Sequence, residues 1–218
     1  MGAAPAKERG IQPQNIRWFP TPNHLPEMCT QEYILKTELG KGIYAHVYEA
    51  CQDNNCNYVA KVEPFVNITP EGFEQEVVIT ELMGQHGISP IMRAAWICQW
   101  TTVGGPYDLG IIVMDKAYIT FQNYVNAQKL FIGAKPNLSQ IKFLLWKKVE
   151  LMLSLGYLHT DIHANNVMFN LENNGDIKDL FLIDWNRVQN VPIYSGDQLV
   201  YFTTEVTNRA WERLLSGR

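Results

Sequence analysis

One stretch, from Leu158 to Asn186, constrains this chain more than any other feature of its 218 residues. It reads LHTDIHANNVMFNLENNGDIKDLFLIDWN, and two of its aspartates and one of its asparagines have a spacing that suggests a function. Asp161 begins a short loop in which Asn166 follows five residues later, and Asp184 ends the apolar run beyond that loop. Phosphoryl transfer uses such a set, because one carboxylate orients the acceptor hydroxyl while an amide and a second carboxylate hold magnesium at the phosphates. The stretch therefore predicts a catalytic loop, a β-hairpin and a metal-binding aspartate in succession.

The spacing H-x-D-x-x-x-x-N, followed by an apolar strand that ends in aspartate, resembles the catalytic and metal-binding loops of the protein kinase-like superfamily. The resemblance covers about 39–186 and implies an α+β, two-lobed protein kinase-like fold with a reduced C-terminal lobe. It implies an N-terminal extension at 1–30, a mainly β N-lobe at 31–117 and a C-lobe at 118–218, with ATP and magnesium bound between the lobes. The sequence GQHGISPI at 84–91 is more weakly similar to the casein kinase 1 and vaccinia-related kinase branch.

Composition indicates a globular protein, since 46% of the residues are hydrophobic and 18% are charged. A net charge of −4 argues against a general binder of nucleic acid or of anionic membranes. The sequence shows no apolar run long enough to span a membrane, no secretory signal at its start, and Ala6 where a myristoylation pattern needs Ser or Thr. We therefore expect an intracellular, by default cytoplasmic, protein without a membrane span.

The four cysteines are scattered and form no CxxC pair, so a zinc site is not indicated. Cys51 and Cys56 flank a predicted hairpin turn at 52–55 and could face each other. Ordinary thiols are the favoured interpretation for an intracellular protein, ahead of a functional disulfide or a metal site.

Three segments with alternating apolar residues, at 33–40, 44–51 and 57–64, predict three antiparallel strands. The first turn matches G-x-G-x-x-G-x-V except that Ala45 replaces the third glycine. Glycine lets backbone N–H groups approach phosphates without a Cβ in the way. A Rossmann site is disfavoured because β-branched and aromatic residues, rather than a helix, follow this turn. The resemblance assigns ATP binding here to Gly40, Lys41, Gly42, Ala45 and Val47.

Lys61, preceded by Ala60, stands where protein kinases carry the strand lysine that holds the α- and β-phosphates. A helix is predicted to begin at 69–71, and it carries Glu74, Glu76 and Glu81. Glu76 is the predicted partner of Lys61, because apolar residues follow it at i+3 and i+7 on the same face. The resemblance implies that replacing Lys61 affects catalysis far more than stability. A solvent-facing strand lysine is the alternative.

Two further strands are predicted at about 94–101 and 109–114, around the turn at 104–106. By resemblance, Met114 would sit behind the adenine of ATP, and the Asp115 carbonyl and Ala117 amide would bond the edge of the base. A buried strand followed by an exposed loop is the alternative. Backbone contacts leave no side-chain signature, so these three assignments rest on the resemblance.

Two amphipathic helices are predicted in the second half of the chain. Asn137 or Ser139 begins the first, whose apolar face comprises Ile141, Leu144, Leu145, Val149, Met152 and Leu153. Asp197 is predicted to cap the last helix, whose apolar side comprises Leu199, Phe202, Val206, Ala210 and Leu214. Before the strands, Trp18, Phe19 and Leu25 could anchor part of an otherwise extended N-terminal arm.

The chain departs from the protein kinase pattern at several positions. Thr160 replaces the arginine that receives an activation-loop phosphate, and His163 replaces a lysine as in aminoglycoside- and choline-kinase-like enzymes. Asp184-Trp185-Asn186 replaces Asp-Phe-Gly, where Trp185 can fill the Phe pocket and Asn186 tolerates a left-handed backbone. Only 32 residues follow Asn186, so the usual peptide-docking platform is expected to be missing or rebuilt.

The leading interpretation is ATP- and magnesium-dependent phosphoryl transfer to a Ser or Thr hydroxyl of a protein substrate. By resemblance, Asp161 accepts the hydroxyl proton, Lys61 and Asn166 assist catalysis, and Asn166 and Asp184 hold magnesium. A small-molecule kinase is the first alternative, favoured by His163 and by the shortened C-lobe. A pseudokinase that regulates a partner kinase is the second, and it is disfavoured because all four polar residues are present.

Overall fold

The computed structural model describes residues 16–19, 32–42, 45–65, 68–102, 105–130 and 137–216. The chain divides into two compact units. The first consists of the described part of Met1–Ile79 together with Met92–Met114. The second consists of Thr80–Ile91 and the described part of Asp115–Arg218.

The first unit is built on a six-stranded sheet, in the order β1-β5-β6-β4-β3-β2. Its strands are β1 (Ile16–Phe19), β2 (Ile34–Lys41), β3 (His46–Gln52), β4 (Asn55–Pro64), β5 (Met92–Thr102) and β6 (Gly105–Asp115). The three strands β2, β3 and β4 pair antiparallel, which confirms the sequence prediction. Strand β1 pairs parallel with β5, so the backbone at Trp18 and Phe19 joins the sheet, in agreement with an arm that is anchored in part. Leu25 lies outside the described residues.

The turn between β3 and β4 explains an unexpected bond between two cysteines. Asp53 and Asn54 both have positive φ, 49° and 73°, as a two-residue hairpin turn of the primed type requires. This tight turn brings the Cα atoms of Cys51 and Cys56 to 4.0 Å, and their sulfurs form a disulfide. The expectation of ordinary thiols is therefore wrong for this pair, because the turn sets the two side chains opposite each other.

Strands β5 and β6 are longer than the sequence predicted. Thr102 stands opposite Gly105 in their register, and Pro106 is already part of β6. The predicted turn at 104–106 is therefore misplaced. Proline lacks an N–H donor but keeps its carbonyl, which allows it near the start of a strand.

Apolar residues form two clusters in the first unit because side chains alternate along each strand. One cluster gathers Tyr33, Leu35, Ala50, Ala60, Val62, Trp96, Cys98, Leu109, Ile111 and Val113. The other contains Ala95, Ile97 and Ile112, and the helix α1 (Pro70–Gln85) contributes Phe73 and Val77 to it. Helix α1 begins as predicted, since the Thr69 hydroxyl accepts a bond from the Gly72 N–H at 3.1 Å.

Gly110→Ala is expected to destabilise the first unit, because a Cβ at Gly110 would overlap the ring of Phe73. Phe73 is fully buried, so its ring can move only if the surrounding core moves as well. Overpacking of this kind typically costs about 1–3 kcal/mol, which urea unfolding would measure. In a protein that already carries Phe73→Leu, the smaller side chain leaves space, so adding Gly110→Ala should cost less stability than it costs in the parent. Additive effects of the two changes would contradict the proposed clash.

The second unit combines helices with two small sheets. Its elements are β7 (Ile119–Thr120), α2 (Phe121–Leu130), α3 (Leu138–Ser154), β8 (Tyr157–His159), β9 (Val167–Leu171), β10 (Ile177–Leu182), a 3₁₀ helix (Trp185–Arg187), β11 (Val188–Asn190) and α4 (Gly196–Ser216). The sheets have the orders β10-β9-β7 and β11-β8. The hairpin β9–β10 was expected, whereas α2 was not. Across the described part of the chain, no helix has the length and apolar character needed to cross a membrane.

Helix α3 matches its prediction closely. Asn137 is its N-cap and accepts a bond from the Gln140 N–H at 3.0 Å, so the helix begins there rather than at Ser139. Five of the six predicted apolar positions are buried, and only Leu144 is half-buried. The helix leads through Gly156 into β8 and the loop after it.

Helix α4 buries a face that overlaps only partly with the predicted one, since Ala210 and Leu214 are the two predicted positions that are buried. It begins at Gly196, so Asp197 lies in the first turn rather than at the cap. The buried residues are Thr203, Thr207, Ala210 and Leu214. Leu199, Phe202 and Val206 are only half-buried. The two threonines are four residues apart, the spacing of one helical face, and both are buried.

Candidate active site

The first unit pairs Lys61 with the glutamate that the sequence singled out. Lys61 lies on β4, and its Nζ is 2.5 Å from Oε1 of Glu76 on α1. Glu76 is only 2% exposed, whereas Glu74 and Glu81 are half-buried at other positions of the helix. The predicted pair is therefore confirmed. Its role toward a nucleotide stays a prediction.

A second carboxylate, which sequence reasoning missed, also contacts Lys61. Oε1 of Glu63 lies 2.7 Å from the Lys61 Nζ, and the Glu63 side chain is 3% exposed. Glu63 follows Lys61 by two positions on β4, and side chains two apart share one face of a strand. That alternation was the signal in the sequence. The three side chains together carry two negative charges and one positive charge.

The glycine turn leads to the strand beside Lys61. Gly40 and Lys41 are exposed at the end of β2, and the Gly42 N–H donates to the Ala45 carbonyl at 2.8 Å. Val47, on β3, stands opposite Lys61 in the register of β3 and β4. The turn and the lysine thus belong to neighbouring strands of one sheet. Residues 43 and 44 lie outside the described residues.

The residues assigned to the adenine occupy positions with different exposure. Ala60 is fully buried in the first apolar cluster, and Met114 is half-buried near the end of β6. In the second unit, the Asp115 N–H donates to the Ile91 carbonyl at 2.9 Å, and Ala117 is buried. The Asp115 amide is therefore already bonded, while the bonds predicted to adenine involve its carbonyl and the Ala117 amide. These contacts stay predictions.

Within the second unit, two hydrogen bonds join the loop predicted to be catalytic to the segment of the aspartate predicted to bind metal. The Asn166 side-chain Nδ2 donates to the Asp161 carbonyl at 3.1 Å. The Ile183 N–H donates to the Asn166 carbonyl at 3.0 Å. Ile183 directly precedes Asp184, so the three polar residues Asp161, Asn166 and Asp184 are brought to one end of the β9–β10 hairpin. This is the arrangement that the spacing predicted.

Asp184 adopts a left-handed backbone, with φ 69° and ψ 70°. Such a conformation is uncommon for a residue with a Cβ, and it occurs at functional sites when the surroundings enforce it. The sequence suggested this conformation at Asn186, which instead lies in the 3₁₀ helix. Trp185 is 1% exposed, so its buried side chain anchors the segment. Its burial fixes the backbone that turns Asp184.

His159 connects the two loops as a neutral side chain. Its Nε2 lies 3.0 Å from the Ile183 carbonyl, and its Nδ1 lies 3.2 Å from the Asp161 backbone N–H. A carbonyl only accepts, so Nε2 carries the proton and Nδ1 accepts from Asp161. Burial lowers the pKa of His159, which favours this neutral form. The His159 ring also packs on Trp185, with centroids 4.7 Å apart.

Two arginines from later in the chain lie at the loop whose own arginine is replaced by Thr160. The Arg187 Nη1 is 3.5 Å from Asp161 Oδ2, and the Arg213 Nη1 donates to the Thr160 carbonyl at 3.3 Å. His163 Nε2 lies 3.9 Å from the same Asp161 oxygen. Sequence reasoning missed both arginines, because nothing in their spacing connects them to the loop.

Activity is expected to be independent of phosphorylation after Asp184. Thr160 bonds the Arg187 carbonyl twice, through its hydroxyl at 2.7 Å and its N–H at 3.1 Å. Strand β11 then pairs with β8, so the segment is held without a phosphate. Protein made in bacteria should keep its activity after phosphatase treatment. A large loss of rate would contradict this, and a mock-treated sample is the control.

The residues predicted to hold magnesium offer suitable donor atoms. Magnesium prefers oxygen ligands, and a carboxylate together with an amide oxygen meets that preference. Because Asn166 Nδ2 bonds the Asp161 carbonyl, the Asn166 side-chain oxygen is turned away from that bond and remains able to accept a cation. Asp184 contributes the charged oxygen. The donor set therefore fits magnesium, and binding itself stays a prediction.

One protein family has a model that matches part of the chain. The model of the ecdysteroid kinase-like family matches residues 156–208, a range that contains Asp161, Asn166 and Asp184. No curated protein matches the chain.

Solved kinase structures resemble the chain in fold. The BubR1 kinase domain aligns with 86% of this chain and 57% of its own length, at 15% identity and a TM-score of 0.60. The crystal structure of Rad53 1-466 in complex with AMP-PNP aligns with 71% of this chain and 39% of its own, at 14% identity and a TM-score of 0.55. The chain thus spans less than two thirds of each of these proteins. The similarity to the casein kinase 1 and vaccinia-related kinase branch is not confirmed. The chain therefore has a protein kinase-like fold.

Proposed function

We propose that this chain transfers the γ-phosphoryl group of ATP to a hydroxyl, with magnesium as the cofactor. The observation that carries the proposal is the pair of bonds that joins Asp161 to Asn166 and Asn166 to Ile183. They gather one carboxylate for the acceptor and two oxygen donors for the metal, which is the set that phosphoryl transfer needs.

Each residue has a role that its surroundings support. Asp161 orients the acceptor hydroxyl and takes its proton, and its carboxylate is exposed enough for a substrate to reach it. Asn166 and Asp184 hold magnesium, which neutralises charge on the phosphates. Lys61, kept in place by Glu76, contacts the α- and β-phosphates. The neutral His159 keeps the catalytic loop and the Asp184 segment in register.

A Ser or Thr of a protein is the first candidate acceptor, by resemblance to protein kinases. A small-molecule hydroxyl is the second, and a specific observation favours it. The family model that matches 156–208 is that of the ecdysteroid kinase-like family. In addition, the stretch between Arg187 and α4 is short, and it begins with β11, which leaves few residues for a peptide-docking segment.

A radiolabelled-ATP assay with two acceptor panels tests the proposal. One panel contains Ser- and Thr-bearing proteins and peptides, and the other contains small alcohols, including steroid alcohols, amino alcohols and sugars. We expect magnesium-dependent label in one panel, which identifies the acceptor class. Asp161→Asn is the control for contaminating kinases, because it should abolish the label.

Thermal-shift titration with ATP, with and without magnesium, complements the assay. If the parent protein binds MgATP but labels no acceptor in either panel and hydrolyses no ATP, the enzyme proposal fails. The pseudokinase interpretation would then take its place.

A further inference from the structure

Lys61 is held by one more carboxylate than the proposed function requires. Glu76 already serves as the partner that orients the ammonium, yet Glu63 lies almost as close, at 2.7 Å. Both carboxylates are nearly fully buried. Within the described part of the chain, Oε2 of Glu63 is buried and has no hydrogen-bond partner. Burying such a group is costly, so a packing role alone does not explain a glutamate at this position.

The total charge of Lys61, Glu63 and Glu76 determines how Glu63 affects an approaching phosphate. A lysine ammonium has three N–H donors, and two of them face Glu63 and Glu76. The three side chains carry a formal charge of −1 in a poorly solvated place. A phosphate oxygen that approaches Lys61 therefore meets an ammonium whose charge is already more than balanced.

We propose that Glu63 makes nucleotide binding at Lys61 dependent on magnesium. The inference rests on the proposed function, because it takes Lys61 as the residue that contacts the phosphates. Glu63 repels metal-free ATP more than it repels MgATP, since magnesium neutralises part of the phosphate charge. Unproductive binding of nucleotide without its metal is thereby suppressed.

The expected size of the effect follows from Coulomb's law. Two unit charges separated by about 6 Å, in the effective dielectric of about 20 that suits partly buried sites, interact strongly enough to change an equilibrium by tenfold or more. Removing the charge of Glu63 should therefore tighten metal-free ATP by about tenfold, and MgATP by much less.

The test compares dissociation constants of mant-ATP, a fluorescent ATP analogue, in magnesium and in EDTA. The parent protein, Glu63→Gln, Glu63→Asp and Glu74→Gln are measured side by side. Glu63→Gln should lower the ratio of the EDTA value to the magnesium value by about tenfold. Glu63→Asp keeps the charge and should keep the ratio. Glu74→Gln also removes one negative charge, but from a residue of α1 outside the group formed by Lys61, Glu63 and Glu76. It should therefore leave the ratio unchanged.

Three outcomes overturn the inference. An unchanged ratio in Glu63→Gln means that its charge does not oppose the phosphates. If Glu63→Gln raises the dissociation constants in magnesium and in EDTA by the same factor, Glu63 only orients Lys61. A parent that binds no nucleotide in either buffer refutes the proposed function itself, and the inference with it. If Glu63→Gln does not fold, Glu63→Met, with an uncharged side chain of similar length, carries the same expectation.

Discussion

Asp161→Asn is expected to lower the rate of phosphoryl transfer by about 10²–10⁴-fold, the range for a lost general base. The substitution removes the negative charge that takes the proton from the acceptor hydroxyl. It leaves the backbone carbonyl of Asp161, which accepts the bond from Asn166, in place. The metal ligands should therefore keep their positions, and the affinity for MgATP should stay nearly unchanged.

Asp184→Asn should act in the opposite way. It removes a charged oxygen from the predicted magnesium site, so metal-dependent binding of ATP should weaken. Thermal-shift titration with ATP in magnesium and in EDTA separates the two variants. Asp176→Asn, an exposed aspartate in the β9–β10 connection, is the control for a lost surface charge. If Asp161→Asn lost MgATP affinity as strongly as Asp184→Asn, the division of roles between them would be wrong.

Lys61→Met is expected to reduce stability as well as activity. The ammonium contacts two carboxylates that are only 3% and 2% exposed, and methionine would leave both in place without it. Removing one member of a buried ion pair typically costs about 3–5 kcal/mol. The sequence-based expectation that catalysis would suffer far more than stability therefore needs revision, since it did not include Glu63.

Urea unfolding and an ATP-binding assay together test this expectation. The triple variant Lys61→Met, Glu63→Gln, Glu76→Gln removes the buried charges as well, and it should regain most of the lost stability without regaining nucleotide binding. Lys61→Arg keeps the charge and should unfold near the parent. If Lys61→Met unfolded like the parent, the two carboxylates would have to be stabilised by other groups.

Much of this protein can be predicted from the sequence alone, because local patterns carry the information. The alternation in β2–β4 and the 3.6-residue period of α3 specify which side chains turn inward, whatever the rest of the chain does. The helix starts at Thr69 and Asn137 depend on single side chains that bond nearby N–H groups. Asp161 and Asn166 lie within one loop, so their spacing can also be recognised from the sequence.

Only the tertiary structure decided which distant groups meet. Arg187 and Arg213 reach the loop at Thr160 because β11 and α4 return to it, and no sequence spacing records that return. The left-handed backbone falls on Asp184 rather than Asn186 because the next residue, Trp185, is locked in a buried pocket. Glu63 was readable in the alternation along β4, whereas the meeting of Glu63 and Glu76 at one ammonium depends on β4 and α1 coming together. Such contacts arise when separate elements pack together. Packing decides whether a charge is buried, and burial changes the energy of that charge more than the residues beside it in the sequence do.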